Sequence, residues 1–385
     1  MLALLNATIW PAAGPKLERG TVIIDGRQIV AVGHDPEIPA NALRLDCRGR
    51  HIIPGLIDGG SRLGIHEDGN GPIGHDEDEI GSNEAPYLRA ADAFWPEDLA
   101  VTDAYRAGVT TVLVEPGNQN TIGGLAAMVK TYGSHVDDLV ISHEAALKVS
   151  LTGQIGRSYS DFRERPEDIA RLRARLEQFS RSPKEEAADT RDLGREVWSR
   201  VLRRELPLLV HVYREFDIAN ALQLAAEWGL RLILEDAPEA HLAADILAEA
   251  GVPVVVGPLM VPRFGERKWL SLRTPAVLAQ KGVEFAITTG HPTIPIRYLL
   301  TQPATAVGEG LDEEVALRSV TLAPARIFGV SDRIGSLEPG KDADLVVLSG
   351  PPFAATSYVT AVYINGACIY EQKQSPIGER SWGGA

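Results

Sequence analysis

The residues best suited to chemistry fall in three kinds of place along the 385-residue chain. The densest is His75-Asp76-Glu77-Asp78-Glu79, four adjacent carboxylates beside an imidazole. Such a group can hold a divalent ion. Adjacent charges in a loop more often face water, so a solvated surface is the expectation for this run. A second kind of place is the end of an apolar run. His211 closes Leu206-Pro207-Leu208-Leu209-Val210, and Tyr213 follows two residues on, on the same side of an extended backbone. An imidazole there could serve as an acid or base, against the commoner role of a hydrogen-bonded structural histidine. The third is basic. Arg263, Arg267 and Lys268, within Leu259–Lys268, hint at an anionic ligand, with solvated rim charge as the commoner explanation.

Composition removes several function classes. The chain carries 38 basic and 52 acidic residues, a net charge of −14. That argues against a nucleic-acid or anionic-membrane surface. No apolar run approaches the roughly eighteen residues a membrane span needs. Met1–Trp10 is apolar but has no basic start, so it is not expected to act as a signal peptide. Cys47 and Cys368 are expected to be reduced thiols in a cytoplasmic protein. A hydrophobic content of 44% supplies a sizeable core.

The elements that must position these residues form two patterns. Near the start, Thr21-Val22-Ile23-Ile24, a turn at Asp25-Gly26, and Gln28–Val32 predict a hairpin. Far downstream, Ala343–Leu348 and Tyr358–Ile364, turning at Asn365-Gly366 into Ala367–Tyr370, predict more strands. Strands at both ends around a different middle predict a discontinuous unit. The division expected is a composite β-sandwich from 1–53 and 332–374, a barrel over 54–331, and a tail over 375–385. In the middle, short continuous apolar runs alternate with helical segments, as expected for strands covered on both faces. The fold class is α/β, a TIM-type (β/α)8 barrel with the small sandwich attached. Ser160–Arg204 is longer and more charged than a tight βα unit allows. It predicts a solvated amphipathic helix on the rim, with a lid or subunit contact as the alternative.

A series of stretches resembles the amidohydrolase superfamily, especially its imidazolonepropionase-like branch. They are Pro54-Gly55-Leu56-Ile57-Asp58, Ala107–Thr111, Asn120–Gly124, His291-Pro292, Ser319–Val330 and Gly335–Leu345. The likeness runs in order over nearly the whole chain. It implies hydrolysis of non-peptide carbon–nitrogen bonds. One or two divalent metals at the strand ends would activate a water, and an aspartate would take its proton.

The resemblance also places the expected ligands, and most positions depart from it. The paired histidines after the first barrel strand fall on Gly60 and Arg62. Glycine has no ligating atom, and arginine is a permanent cation. The bridging lysine falls on Lys148, with Lys130 as a second candidate. The fifth-strand histidine falls on His211, with Tyr213 where relatives often carry another histidine. The sixth-strand histidine falls on Asp236, and the final aspartate on Gly290, beside His291. The candidate catalytic residues are therefore His211, Lys148 and Asp236. Gly60, Arg62, Tyr213, Gly290 and His291 are expected around the pocket, and no metal ligands are assigned. An ion pair between Arg62 and Asp236 would balance charge in the former metal space.

Two readings follow. In one, the chain is a non-catalytic homologue that binds a small molecule or serves an active relative. In the other, it is a hydrolase with metal-free or mononuclear chemistry around His211. No cofactor is expected under the first reading; zinc or another divalent metal would be expected if it is wrong. The partners expected are a small-molecule, anionic ligand and either a second copy or an active relative, with neither nucleic acid nor membrane.

Overall fold

The computed structural model describes residues 1–133, 139–152, 164–181 and 192–372. The expected tail over 375–385 lies outside them. Two sheets organise the chain. The first is built from both chain ends: β1 (Leu2–Ile9), β2 (Leu17–Asp25), β3 (Gln28–Gly33), β4 (Leu43–Asp46) and β5 (His51–Pro54). The second is the barrel: β6 (Leu56–Ser61), β7 (Val109–Val114), β8 (Ile122–Lys130), β9 (Val140–Ser150), β10 (Leu208–Val212), β11 (Leu232–Asp236), β12 (Val254–Val256) and β13 (Phe285–Ile287). The chain then returns to the first sheet with β14 (Leu345–Leu348), β15 (Val359–Ile364) and β16 (Ala367–Glu371). The join is antiparallel, with Val346 of β14 opposite Ile53 of β5. The β15–β16 turn places Asn365 at φ 51° and Gly366 at φ 76°, the left-handed pair such a two-residue hairpin requires.

The barrel strands are hydrogen-bonded in chain order from β6 to β13. Most pairs are parallel, with helices between them, but β8 runs antiparallel to both β7 and β9. The links either side of β8 are too short for the crossover a parallel neighbour needs. Last and first strands meet through Thr288, whose hydroxyl donates to the Asp58 carboxylate and to the Gly60 carbonyl.

Strand alternation sets the interior. Val112, Leu147, Leu208, Val210, Leu234 and Val254 belong to the apolar core that also holds the helices. The intervening residues Ile57, Leu113, Met128, Ala146, Leu209, Ile233, Val255 and Ala286 form a separate cluster, one from each barrel strand. That apolar layer fills the barrel and is capped below by Ala325, Ile327 and Phe328. Two residues further along the strands, the same inward direction brings Glu115, Lys148, His211, Glu235 and Thr288. All of these are buried.

The expected rim helix is present in part. Helices at Arg165–Arg181 and Leu193–Leu202 are described, whereas 160–163 and 182–191 lie outside the described residues. The first helix is more than a solvated surface. Leu172 and Leu176 are buried, and the Asp168 carboxylate accepts from Thr121 Oγ1 at 2.6 Å. Arg165 pairs with Asp217 and with Glu266. Cys47 is buried and Cys368 exposed, and both are free thiols.

Candidate functional site

The polar layer above the apolar interior is the candidate site. Lys148, near the end of β9, has a fully buried side chain. Its Nζ donates to Glu115 Oε2 at 3.0 Å and to Glu235 Oε2. Glu115 directly follows β7, and Glu235 lies at the end of β11. The other oxygen of Glu235 lies 3.5 Å from His211 Nδ1, a long contact for a hydrogen bond. Four side chains from adjacent parts of the barrel therefore share one buried ammonium and two carboxyl groups.

Burial and charge split the two carboxyls. Burial, and next the charge of Glu235, push the Glu115 carboxyl up to about 8. Burial also raises Glu235, but Lys148 and His211 outweigh it and hold Glu235 well below the usual carboxylate range. At neutral pH Glu115 carries the proton, and Glu235 is the counter-ion of Lys148. Below them, Asp58 is also buried. Its carboxylate accepts from both threonine hydroxyls of Thr288-Thr289 and from the Thr289 amide at 3.3 Å. Burial raises Asp58 to about 6 despite these bonds.

The structure assigns the sequence candidates unequally. His211 and Lys148 do meet, through Glu235. Lys130 is excluded from this site. It is bonded to Asp342 at 2.8 Å, to Asp344 and to Asn365, at the far end of the barrel. The expected Arg62–Asp236 pair is absent. Asp236 takes an unusual φ of 64° at the strand end, and its carboxylate is held by Arg267 from the Leu259–Lys268 loop. Arg267 also lies 5.2 Å from the centre of the Tyr213 ring, which packs edge-on against His211 at 4.8 Å. Burial, and next Asp236, push the Tyr213 hydroxyl up to about 12. Arg263 and Lys268 are exposed and lie outside this group.

Arg62 instead makes no side-chain hydrogen bond or ion pair among the described residues. Its charge acts on Asp78, Glu115, Tyr213 and His291, which places it over the mouth of the barrel. Gly60 lies against the polar layer: a Cβ there would come 3.3 Å from Glu115 Oε1. Gly290 sits at φ 55°, and a Cβ there would meet Pro258 at 3.1 Å. His291 is buried, with both ring nitrogens unpartnered among the described residues. Burial lowers it to about 4.

The acidic run departs from the solvated surface expected of it. Asp76 and Glu79 are exposed, but His75, Glu77 and Asp78 are half-buried. His75 and Glu77 fold back onto His66. Among the described residues, these three form the one group of His, Cys, Asp or Glu donors close enough to share an ion.

A model of the amidohydrolase family matches residues 52–369, and the chain belongs to that family. An amidohydrolase from Thermotoga maritima MSB8, 34% identical, shares the fold at a TM-score of 0.90 over 97% of this chain and 100% of its own. Imidazolonepropionase from Geobacillus kaustophilus (strain HTA426) is 25% identical over 90% of this chain and 87% of its own length. The amidohydrolase tasK of Hapsidospora irregularis is 24% identical over 91% of this chain, and the match spans only 40% of that protein. The barrel and the separate sheet from the chain ends agree with these neighbours. No helix among the described residues is long and apolar enough to cross a membrane.

Sequence reasoning missed Glu115 and Glu235 as members of the site. Both lie two residues beyond an inward apolar position, Leu113 and Ile233. The signal was there, but it becomes readable only once strand register says which face is inward.

Proposed function

We propose that this amidohydrolase-family chain does not carry out metal-assisted hydrolysis at its strand ends, and that it binds a small carboxylate-bearing molecule over Arg62. The observation that carries this reading is the Lys148 ammonium lodged between Glu115 and Glu235. It supplies an internal cation where the family resemblance would place metals. The donor set does not fit a binuclear centre: Gly60 offers no ligand, its side-chain space is bordered by Glu115, and Asp236 is engaged by Arg267. With Lys148 neutralised by Glu235 and Asp236 by Arg267, Arg62 makes no direct ion pair among the described residues, although its charge reaches Asp78, and its guanidinium has donors free for an anion. The imidazolonepropionase relatives carry a propionate in their name, and that suggests the probe.

Calorimetric titration with imidazole-4-propionate tests the reading. Saturable binding that Arg62→Gln removes is expected. Metal bound through Lys148 and His211, or hydrolytic turnover that depends on it, would overturn it.

One observation favours a second reading, metal-free hydrolysis. Neither His211 nitrogen has a hydrogen-bond partner among the described residues, yet Nδ1 faces the Glu235 carboxylate, the arrangement of a base with its orienting acid. Turnover of amide substrates by chelator-treated protein, lost in His211→Gln, would establish that alternative.

A further inference from the structure

The loop that follows the first barrel strand carries a second constellation, separate from the Lys148 layer. We infer that His66, His75 and Glu77 form a binding site for one divalent transition-metal ion of the zinc class. The ligand atoms of all three lie within 4.8 Å of one another. Four donors around zinc at about 2.0–2.1 Å stand roughly 3.3 Å apart, so binding an ion would draw the donor atoms together and spread the stacked histidine rings.

The backbone accounts for the convergence. His66 and His75 form an isolated antiparallel bridge. Glu67 N donates to Gly74 O, and Asp76 N donates to Ile65 O, each at 2.8 Å. Those bonds flank the histidine pair, so it is the non-hydrogen-bonded kind, in which opposed side chains are nearest. The rings accordingly stack with centroids 3.8 Å apart. Glu77 follows His75 by two residues on the same side of the strand. The Gly117 amide, donating to Glu77 O at 2.7 Å, holds it in place.

Two features point to a ligand rather than to a satisfied cluster. Glu77 Oε1 lies 2.9 Å from His66 Nδ1, but Glu77 Oε2 is buried with no hydrogen-bond partner among the described residues. An orphaned carboxylate oxygen next to two imidazoles is costly unless something cationic meets it. The flanking Asp76, Asp78 and Glu79 also make the surroundings negative. Three protein ligands leave the fourth position of a tetrahedral ion open, the arrangement of zinc sites that take water or a ligand. That position adjoins a cavity of about 510 Å³ lined by Ile65, His75, Glu77, Leu88 and Asn120. Two imidazole donors favour zinc over calcium or magnesium, which prefer all-oxygen ligands.

The test is zinc binding by the full chain, without a histidine tag, stripped of metal and dialysed against zinc, with bound metal counted by mass spectrometry. One zinc per chain is expected. His75→Ala and the isosteric Glu77→Gln should each weaken binding about 10-fold or more, and His211→Ala should leave it unchanged. Cobalt substitution should give the visible absorption of a tetrahedral site, lost in the same variants. Circular dichroism of each variant separates loss of ligand from loss of fold. No zinc bound by the intact chain overturns this inference and leaves the proposed function standing. Zinc kept in His75→Ala and Glu77→Gln but lost in His211→Ala overturns both.

Discussion

Two buried lysines, Lys130 and Lys148, stand at opposite ends of the same barrel, each between two carboxyl groups. Lys130 ties β8 to the returning chain through Asp342, Asp344 and Asn365. Lys130 lies within ion-pair reach of both carboxylates, and Arg333 adds a further contact to Asp342 at 3.0 Å. Lys148 faces the end where the catalytic loops of such barrels gather. Its partners are unevenly ionised, His211 lies at long range from one of them, and Arg62 stands nearby with no direct ion pair among the described residues. Both lysines are buried, but Asp342 and Arg333 are partly exposed whereas Glu115 and Glu235 are not. The difference lies in position and neighbours: only the Lys148 cluster adjoins His211 and Arg62 at the barrel mouth, and the proposed site rests on that end.

The largest effect expected is at the Lys130 end. Lys130→Met leaves Asp344 as a buried carboxylate without a cation, and should lower unfolding free energy by about 3–5 kcal/mol in urea titrations. Lys148→Met should cost less, roughly 1–3 kcal/mol, because Glu115 carries its own proton and does not need the cation. Equal losses at the two sites would remove the distinction between them.

A pH series sharpens it further. The folded Glu115 carboxyl lies at about 8, above its ordinary 4.5. Folded protein therefore holds the proton more tightly than unfolded protein does. The stability from this group is full below about 4.5 and is lost as pH rises through about 8. Glu115→Gln should flatten that decline in denaturant midpoints measured across this window. An unchanged slope would show that Glu115 is not the group responsible. The smallest stability effect is expected at Arg62. Arg62→Gln should move unfolding by no more than about 0.5 kcal/mol, while removing binding of the propionate probe.

Much of the fold was legible because its signals are local. Pro54–Asp58 announces the first barrel strand, and Gly335–Leu345 announces the return to the terminal sheet. The choice between Lys130 and Lys148 was not legible. The reversed direction of β8 carries Lys130 to the opposite end of the barrel, and no local pattern gives strand direction. Glu115 and Glu235 needed register, since an inward residue is defined only relative to its neighbours. The Arg62–Asp236 pairing failed for a similar reason. The positive φ of Asp236 places its carboxylate against Arg267, a residue of a later loop. His66 lies outside every motif stretch, and only the pairing of its backbone with His75 reveals it.

The central claim is that Lys148 serves as the internal cation of the barrel mouth in place of a metal. The direct measurement is the metal content of a His66→Ala, His75→Ala variant, purified without chelator so that the loop donors cannot contribute. No stoichiometric metal is expected in this folded variant. One or two ions per chain, lost when Lys148 or His211 is also replaced, would contradict it.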